Sequence, residues 1–288
     1  MKAGAPPSLS GHGHCFATVE HLDGSHTTWA TTDNHAALCD RHWGLMTDGL
    51  VISAPTSSPH ISDKNISLPS SEIESVQLFE ISNELDGRGA GFGNRFWNHL
   101  AREDISQLFH KGAIPSSIEY EDRYLSTPVS CALLVDVLSS IKSHFQSLND
   151  WGDVPVRVTT MTIDEARPLR NRNNWWSDWE NSEQRDKSLE AAFQYSGITA
   201  SVSSLDKRNL SHGRRLTVRF QNTGQLIVWL DQGLSYWSMA KNHRHAAITS
   251  FNMQLPESEL GEALAEFRVD VEGHDLPTYV FVDRRHLR

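Results

Sequence analysis

Residues 118–145, IEYEDRYLSTPVSCALLVDVLSSIKSHF, decide the fold class. An extended segment, Ile114 to Leu125, gives way at Pro128 to a helix that runs to about Phe145. Proline suits a first helical turn, where its missing N–H would have had no partner. Leu134, Val137, Leu138, Ile141 and Phe145 then recur at helical spacing and predict one apolar stripe. Val154, Val156 and Val158 alternate as a strand, with Met161 and Ile163 continuing it after a one-residue shift that predicts a bulge. Strand, helix and strand in that order point to an α/β layer structure.

The same alternation extends in both directions. Upstream, Val76 to Ile81 reads as a strand and Gly91 to Phe109 as a helix. Downstream, Ser182 to Tyr195 reads as a helix ended by Gly197, and Ile198 to Ser204 as a strand. Arg215 to Phe220 and Gln225 to Leu230 flank a four-residue loop of hairpin composition. A strand near Ile248–Leu255, a helix from Pro256 to Phe267, and strands near Arg268–Val271 and Thr278–Val282 complete the series. The expectation is a mixed sheet covered by helices over residues 74–288. Residues 53–73 are rich in Ser and Pro and read as a linker or long loop. Residues 1–52 read as a small β-rich segment, too short for a large core of its own.

Composition narrows the function classes without choosing among them. The 288 residues carry 26 Lys and Arg against 36 Asp and Glu, a formal charge of −10, which disfavours nucleic acid and anionic membranes unless a local basic patch overrides it. No apolar run approaches the roughly 18–20 residues of a membrane helix, so membrane insertion is not expected. The opening MKAGAPPSLS lacks a signal-peptide core, and three scattered cysteines make no disulfide framework; both point to the cytoplasm.

Two constellations could carry chemistry. Asp122 and Arg123 fall at the C-terminal end of a predicted strand beside a helix start, where open α/β sheets place ligands and free N–H groups meet anions. Later, Ser211-His-Gly-Arg-Arg-Leu216 puts His212 and Arg214 on one face of a strand, with Arg215 beside them. Asp122, Arg123, His212, Arg214 and Arg215 are thus the candidate phosphate or anion site. The structural alternatives are a turn capped by Asp122 with Arg123 in a surface pair, and an ion-pair network joining Arg214 or Arg215 to Asp122 or Asp231.

Residues 118–125 with their helix, the His212-Gly-Arg-Arg strand, the hairpin, and Leu230-Asp-Gln-Gly-Leu-Ser-Tyr-Trp237 resemble the phospholipase-D-like C-terminal domain of microtubule-interacting-and-trafficking (MIT) domain proteins. The matching blocks span roughly Ile118 to Phe251. The combination is also similar to bacterial proteins that accompany helicases or nucleases in anti-phage defence. Catalytic members of the wider phospholipase D group use paired His-x-Lys-x4-Asp motifs. Here the nearest equivalent is His212-x-Arg214, Arg219 stands where the Asp should be, and His110-Lys111 has the wrong spacing for a second motif. The resemblance implies a degenerate, non-catalytic domain that binds and assembles, with a helicase or nuclease as partner and DNA reached through the complex. The alternative is a phosphodiesterase or nuclease that uses His212 as nucleophile in a composite dimer site.

Two further groups complete the reading. Trp175, Trp176 and Trp179, with Arg172, lie between a strand and a helix in a composition typical of interface anchors. His12, His14, Cys15, Cys39 and His42 offer tetrahedral zinc ligands, although no Cys-x2-Cys pair accompanies them; otherwise no cofactor is expected.

Overall fold

The computed structural model describes the backbone of strands at 8–9, 13–20 and 26–31, and then residues 76–81, 84–101, 114–144, 154–163, 174–210, 213–221, 224–241, 251–274 and 278–283. The chain divides into two units, Met1–Ser75 and Val76–Arg288. In the first, β1 (Ser8–Leu9), β2 (Gly13–Glu20) and β3 (His26–Thr31) form an antiparallel sheet in that order, with an irregularity between Cys15 and Ala17. The Ser/Pro-rich segment 53–73 lies outside the described residues.

The second unit is built on a seven-stranded mixed sheet. Its strands are β4 (Val76–Glu80), β6 (Pro115–Asp122), β7 (Val156–Met161), β8 (Ala200–Leu205), β9 (Arg214–Phe220), β10 (Gly224–Leu230) and β13 (Tyr279–Asp283), in the order β4-β13-β10-β9-β6-β7-β8. β6, β7 and β8 run parallel, while the remaining pairings are antiparallel. Parallel neighbours need a long crossover. Two helices supply them: α2 (Pro128–His144) joins β6 to β7, and α3 (Ser182–Tyr195) lies between β7 and β8. The other α-helices among the described residues are α1 (Phe92–Leu100) and α4 (Glu257–Ala265). A small antiparallel sheet joins β11 (Ser238–Met239), β12 (Asp270–Glu272) and β5 (Gly87–Arg88).

The core sits on one face of the large sheet, as period-two alternation requires. Ile118 and Tyr120 of β6, Val156 and Val158 of β7, Leu216 and Val218 of β9, and Val228 of β10 join the apolar side chains of all four helices in one cluster. Helix α2 is its centre. It contacts α1, α3 and α4, and Val129, Leu133, Leu134, Val135, Leu138 and Ile141 are all buried. The single apolar stripe expected for this helix is therefore an underestimate, because α2 is apolar nearly all round.

Helix starts and stops follow local chemistry. Asn181 Oδ1 accepts the Gln184 N–H at 2.8 Å at the start of α3, and Gly197, at φ 71°, follows its end. The β9–β10 hairpin pairs Phe220 with Gly224 and Arg214 with Leu230. Two expectations differ from the structure. β7 runs without a bulge in register with both neighbours, and the irregularity falls instead in β6, between Pro115 and Ser117. Residues 251–255 form a turn in place of a strand end, because Phe251 and Met253 are drawn into the helical core.

Candidate functional site

The end of β6 brings together the two distant segments singled out in the sequence. Asp122, fully buried, accepts the Tyr120 hydroxyl at 2.8 Å on Oδ2 and the Tyr124 backbone N–H at 2.8 Å on Oδ1. The Leu234 N–H donates to it as well. Arg214, at the start of β9, places Nε 3.7 Å from Oδ1, lays its guanidinium 4.7 Å from the centre of the Tyr124 ring, and donates to the Asp231 carbonyl. Gly233 closes the arrangement. Its φ is 65°, and a Cβ there would fall 2.4 Å from Arg214 Cδ and 2.6 Å from Asp122 Oδ2. Burial pushes the Asp122 carboxyl above its ordinary range, with Arg214 and the surrounding donors opposing; burial, and then Asp122 itself, push the Tyr120 phenol well up.

The other candidates are placed differently. Arg123 is buried beneath the loop that follows β8, where Nη2 donates to the carbonyls of Lys207 (2.6 Å) and Leu210 (2.8 Å), so it does not stand at the surface as a surface pair would require. Arg215 projects to the opposite face of the sheet from Arg214, 3.2 Å from Glu121 and over the Trp229 ring. That face also carries Arg219, 2.7 Å from Glu119, with Arg157 at 3.7 Å from the same carboxylate. Glu119 is held below the usual carboxylate range by the Arg219 hydrogen bond. His212 and Arg172 lie outside the described residues, as do His12, Cys39 and His42 and the side chains of His14 and Cys15. Among the described residues no group of three or more His, Cys, Asp or Glu could hold a metal ion, and no helix is long and apolar enough to cross a membrane.

The start of α2 does not offer the free N–H groups expected of it. Val129 N–H donates to the Trp175 carbonyl, Ser130 N–H to Thr127 Oγ1, and Cys131 N–H to the Thr127 carbonyl. Thr127 caps the helix from within, and Pro128 has no N–H to give.

The tryptophan loop is likewise turned inward. Trp175 packs 4.5 Å from Phe251 and 4.9 Å from Phe267, and Trp179 lies edge-on to Phe251 at 5.4 Å. Both are buried, so they fasten the loop to its own core and leave no ring for a partner; Trp176, 37% exposed, is the one that reaches solvent.

Sequence reasoning missed Arg185. On α3 and 1% exposed, it donates to the carbonyls of Leu125 (3.3 Å) and Met161 (3.0 Å), to Ser204 Oγ (2.5 Å), and through Nε to Asp186 at 2.9 Å. One guanidinium thereby gathers the ends of β6, β7 and β8. Beside it, burial pushes the Cys131 thiol up to about 12, against smaller pulls from Arg185 and the Trp179 side chain. At the edge where an α/β enzyme opens its site, Asp122, Arg123, Arg185 and Arg214 are each bonded to neighbouring groups of the chain.

No match was found among curated proteins. Residues 75–284, which cover the whole of the large mixed sheet and its four helices, match the family model described as the C-terminal domain of the DEAD/DEAH box helicase YjiV, and the chain belongs to that family.

Proposed function

We propose that residues 75–284 form a non-catalytic binding and assembly domain that works with a DEAD/DEAH-box helicase. The inward commitment of the strand ends carries this reading. Asp122 is enclosed by Tyr120, Tyr124, Leu234 and Arg214, and the three parallel strand ends are closed by Arg185. An acid so enclosed is a poor general base, because no substrate proton can come within hydrogen-bond reach. The family membership supports the helicase connection. No Gly-x4-Gly-Lys-Ser/Thr segment occurs in the 288 residues, and the proposal gives the ATP chemistry to the helicase this domain works with.

The proposal extends to a degenerate phospholipase-D-like lineage and to a cytoplasmic bacterial complex of antiviral defence. Arg214 and its neighbours would hold an acidic or phosphate group there. The strand ending in Asp122, the long helix after it, and the β9–β10 hairpin favour that lineage. Arg219, paired with Glu119 on the far face of the sheet, weighs against a working His-x-Lys-x4-Asp motif.

Recovery of the tagged full-length chain from its native host, with co-purifying proteins identified by mass spectrometry, tests the assembly reading. A DEAD/DEAH-box helicase in the recovered complex is the expected result, and its absence overturns the reading. Cleavage of single- or double-stranded DNA by the purified chain, lost in His212→Ala, would replace the proposal with the phosphodiesterase alternative.

A further inference from the structure

The large sheet ends at β8, which pairs with β7 on one side and with no other strand among the described residues. The ladder to β7 fixes which way each residue faces. Val156 N–H donates to the Thr199 carbonyl and Thr162 N–H to the Leu205 carbonyl, so the backbone groups of residues 199, 201, 203 and 205 point inward. Those of Ala200, Val202 and Ser204 therefore point away from the sheet. Such a row of donors and acceptors is a template for another strand, and proteins blunt it with charge, proline or a bulge. β8 has none of the three: it reads ASVSSL and stays in register with β7 throughout.

One side chain does reach this edge. Glu190 of α3 accepts the Val202 N–H on Oε1 at 2.9 Å, at the middle of the three outward positions. The outward groups of Ala200 and Ser204 have no partner among the described residues.

The strand is also complementary to itself. Laid antiparallel on a second copy with Val202 opposite Val202, it sets Ala200 opposite Ser204, Ser201 opposite Ser203, and Thr199 opposite Leu205. Every facing pair is small or apolar, and no charge meets its like. Asp206, Lys207 and Arg208, just past the end, would run beside the uncharged Ile198, Gly197 and Ser196 of the second copy. Leu205, a large apolar side chain left 38% exposed, would gain a neighbour.

We propose that β8 is a homodimer interface, joining two copies of this chain by antiparallel β8–β8 pairing about a two-fold axis at Val202, with Glu190 as a removable plug at its centre. On pairing, each Glu190 carboxylate yields the Val202 N–H to the Val202 carbonyl of the other copy. A pairing of one edge with itself closes at two copies, whereas joining β8 to the opposite edge strand β4 would propagate. Six residues make a strip of roughly 20 Å, which places the contact among small, reversible interfaces. The proposal goes beyond the assembly reading and does not depend on the helicase.

Sedimentation equilibrium of the full-length chain from about 1 to about 500 μM reads the association. The parent should pass from monomer to dimer with no larger species. Glu190→Ala should dimerise about tenfold or more tightly, because two charge-assisted bonds no longer compete. Ser201→Lys/Ser203→Lys sets cations opposite one another across the axis. Both positions are exposed, so this variant should keep the parent's melting curve. It should dimerise about tenfold or more weakly, with partial recovery at about 1 M salt. Register is read separately: a mixture of Ser201→Cys and Ser203→Cys chains, mildly oxidised, should give a 201–203 disulfide identified by mass spectrometry, in higher yield than the 201–201 or 203–203 link.

A parent that stays monomeric over this range, species that grow past the dimer, or a Glu190→Ala dimer no tighter than the parent's overturns the proposal. A folded lysine variant that dimerises as the parent does overturns it too. Absence of the 201–203 link does the same, and decides the matter should the lysine variant lose its fold.

Discussion

Replacing Arg185 with methionine keeps most of the side chain's volume and removes all its donors. The change strands the carbonyls of Leu125 and Met161 inside the protein and leaves Asp186 without its 2.9 Å partner. Each buried acceptor left unmade costs about 1–3 kcal/mol, and breaking a buried ion pair from one side costs about 3–5 kcal/mol. Asp186 keeps some solvent contact, which argues for the lower part of that range. We therefore expect Arg185→Met to destabilise the large unit by about 5 kcal/mol. For a unit of this size that corresponds to a fall in Tm of about 10–20 °C. Intrinsic fluorescence is a suitable readout because most of the nine tryptophans lie beyond residue 76. Arg185→Lys should fall between parent and Met, since a single ammonium does not reproduce the planar fork that reaches three strand ends. A midpoint within about 2 °C of the parent for Arg185→Met would show that the strand ends hold without the guanidinium, and would refute the reasoning.

Other outcomes can be checked in parallel. Gly233→Ala meets both a left-handed backbone and the side chains of Arg214 and Asp122, and should cost about 2–4 kcal/mol in urea unfolding; a loss below about 1 kcal/mol would mean the cradle is slack. Cys131, with its thiol pushed up to about 12, should have only about one part in ten thousand as thiolate at pH 8. Site-resolved alkylation should find it protected in the native chain and labelled in denaturant, and native labelling would refute its burial. Burial raises the Asp136 carboxyl, with the Gly93 N–H opposing, so its stabilising contribution is full below the unfolded value and is lost as pH rises through the folded one. Asp136→Asn should thus gain on the parent as pH rises from about 4 toward neutrality, and urea midpoints whose gap stays constant would contradict this. Glu119→Gln should cost less than about 1 kcal/mol and progressively less in high salt, measured by thermal melts at two ionic strengths.

Much of the fold was legible because it rests on local rules. The span of α2 from Pro128, the span of α3 before Gly197, and the β9–β10 hairpin all follow from proline placement, apolar spacing and turn composition. The meeting of the Asp122 and Arg214 segments was expected from two strand ends sharing one sheet. What escaped the sequence depends on partners far along the chain. Arg185 sits in Ser-Glu-Gln-Arg-Asp-Lys, which reads as a solvated helix face, yet it is buried because three strand ends converge on it. The first turn of α2 looked open to an anion, and only the Trp175 carbonyl, 46 residues downstream of Val129, fills one of its places. Trp175 and Trp179 looked available for an interface for the same reason: Phe251 and Phe267, which cover them, come from much later in the chain.

Helix α2 touches α1 on one side and α4 on another, and its apolar residues point in nearly every direction. A wall supplied by residues 257–265 cannot be in place while those residues are still within the ribosomal tunnel. Until α4 emerges, one flank of the most apolar helix stands open to water, so nascent chains and C-terminally shortened fragments alike should be clients for chaperones.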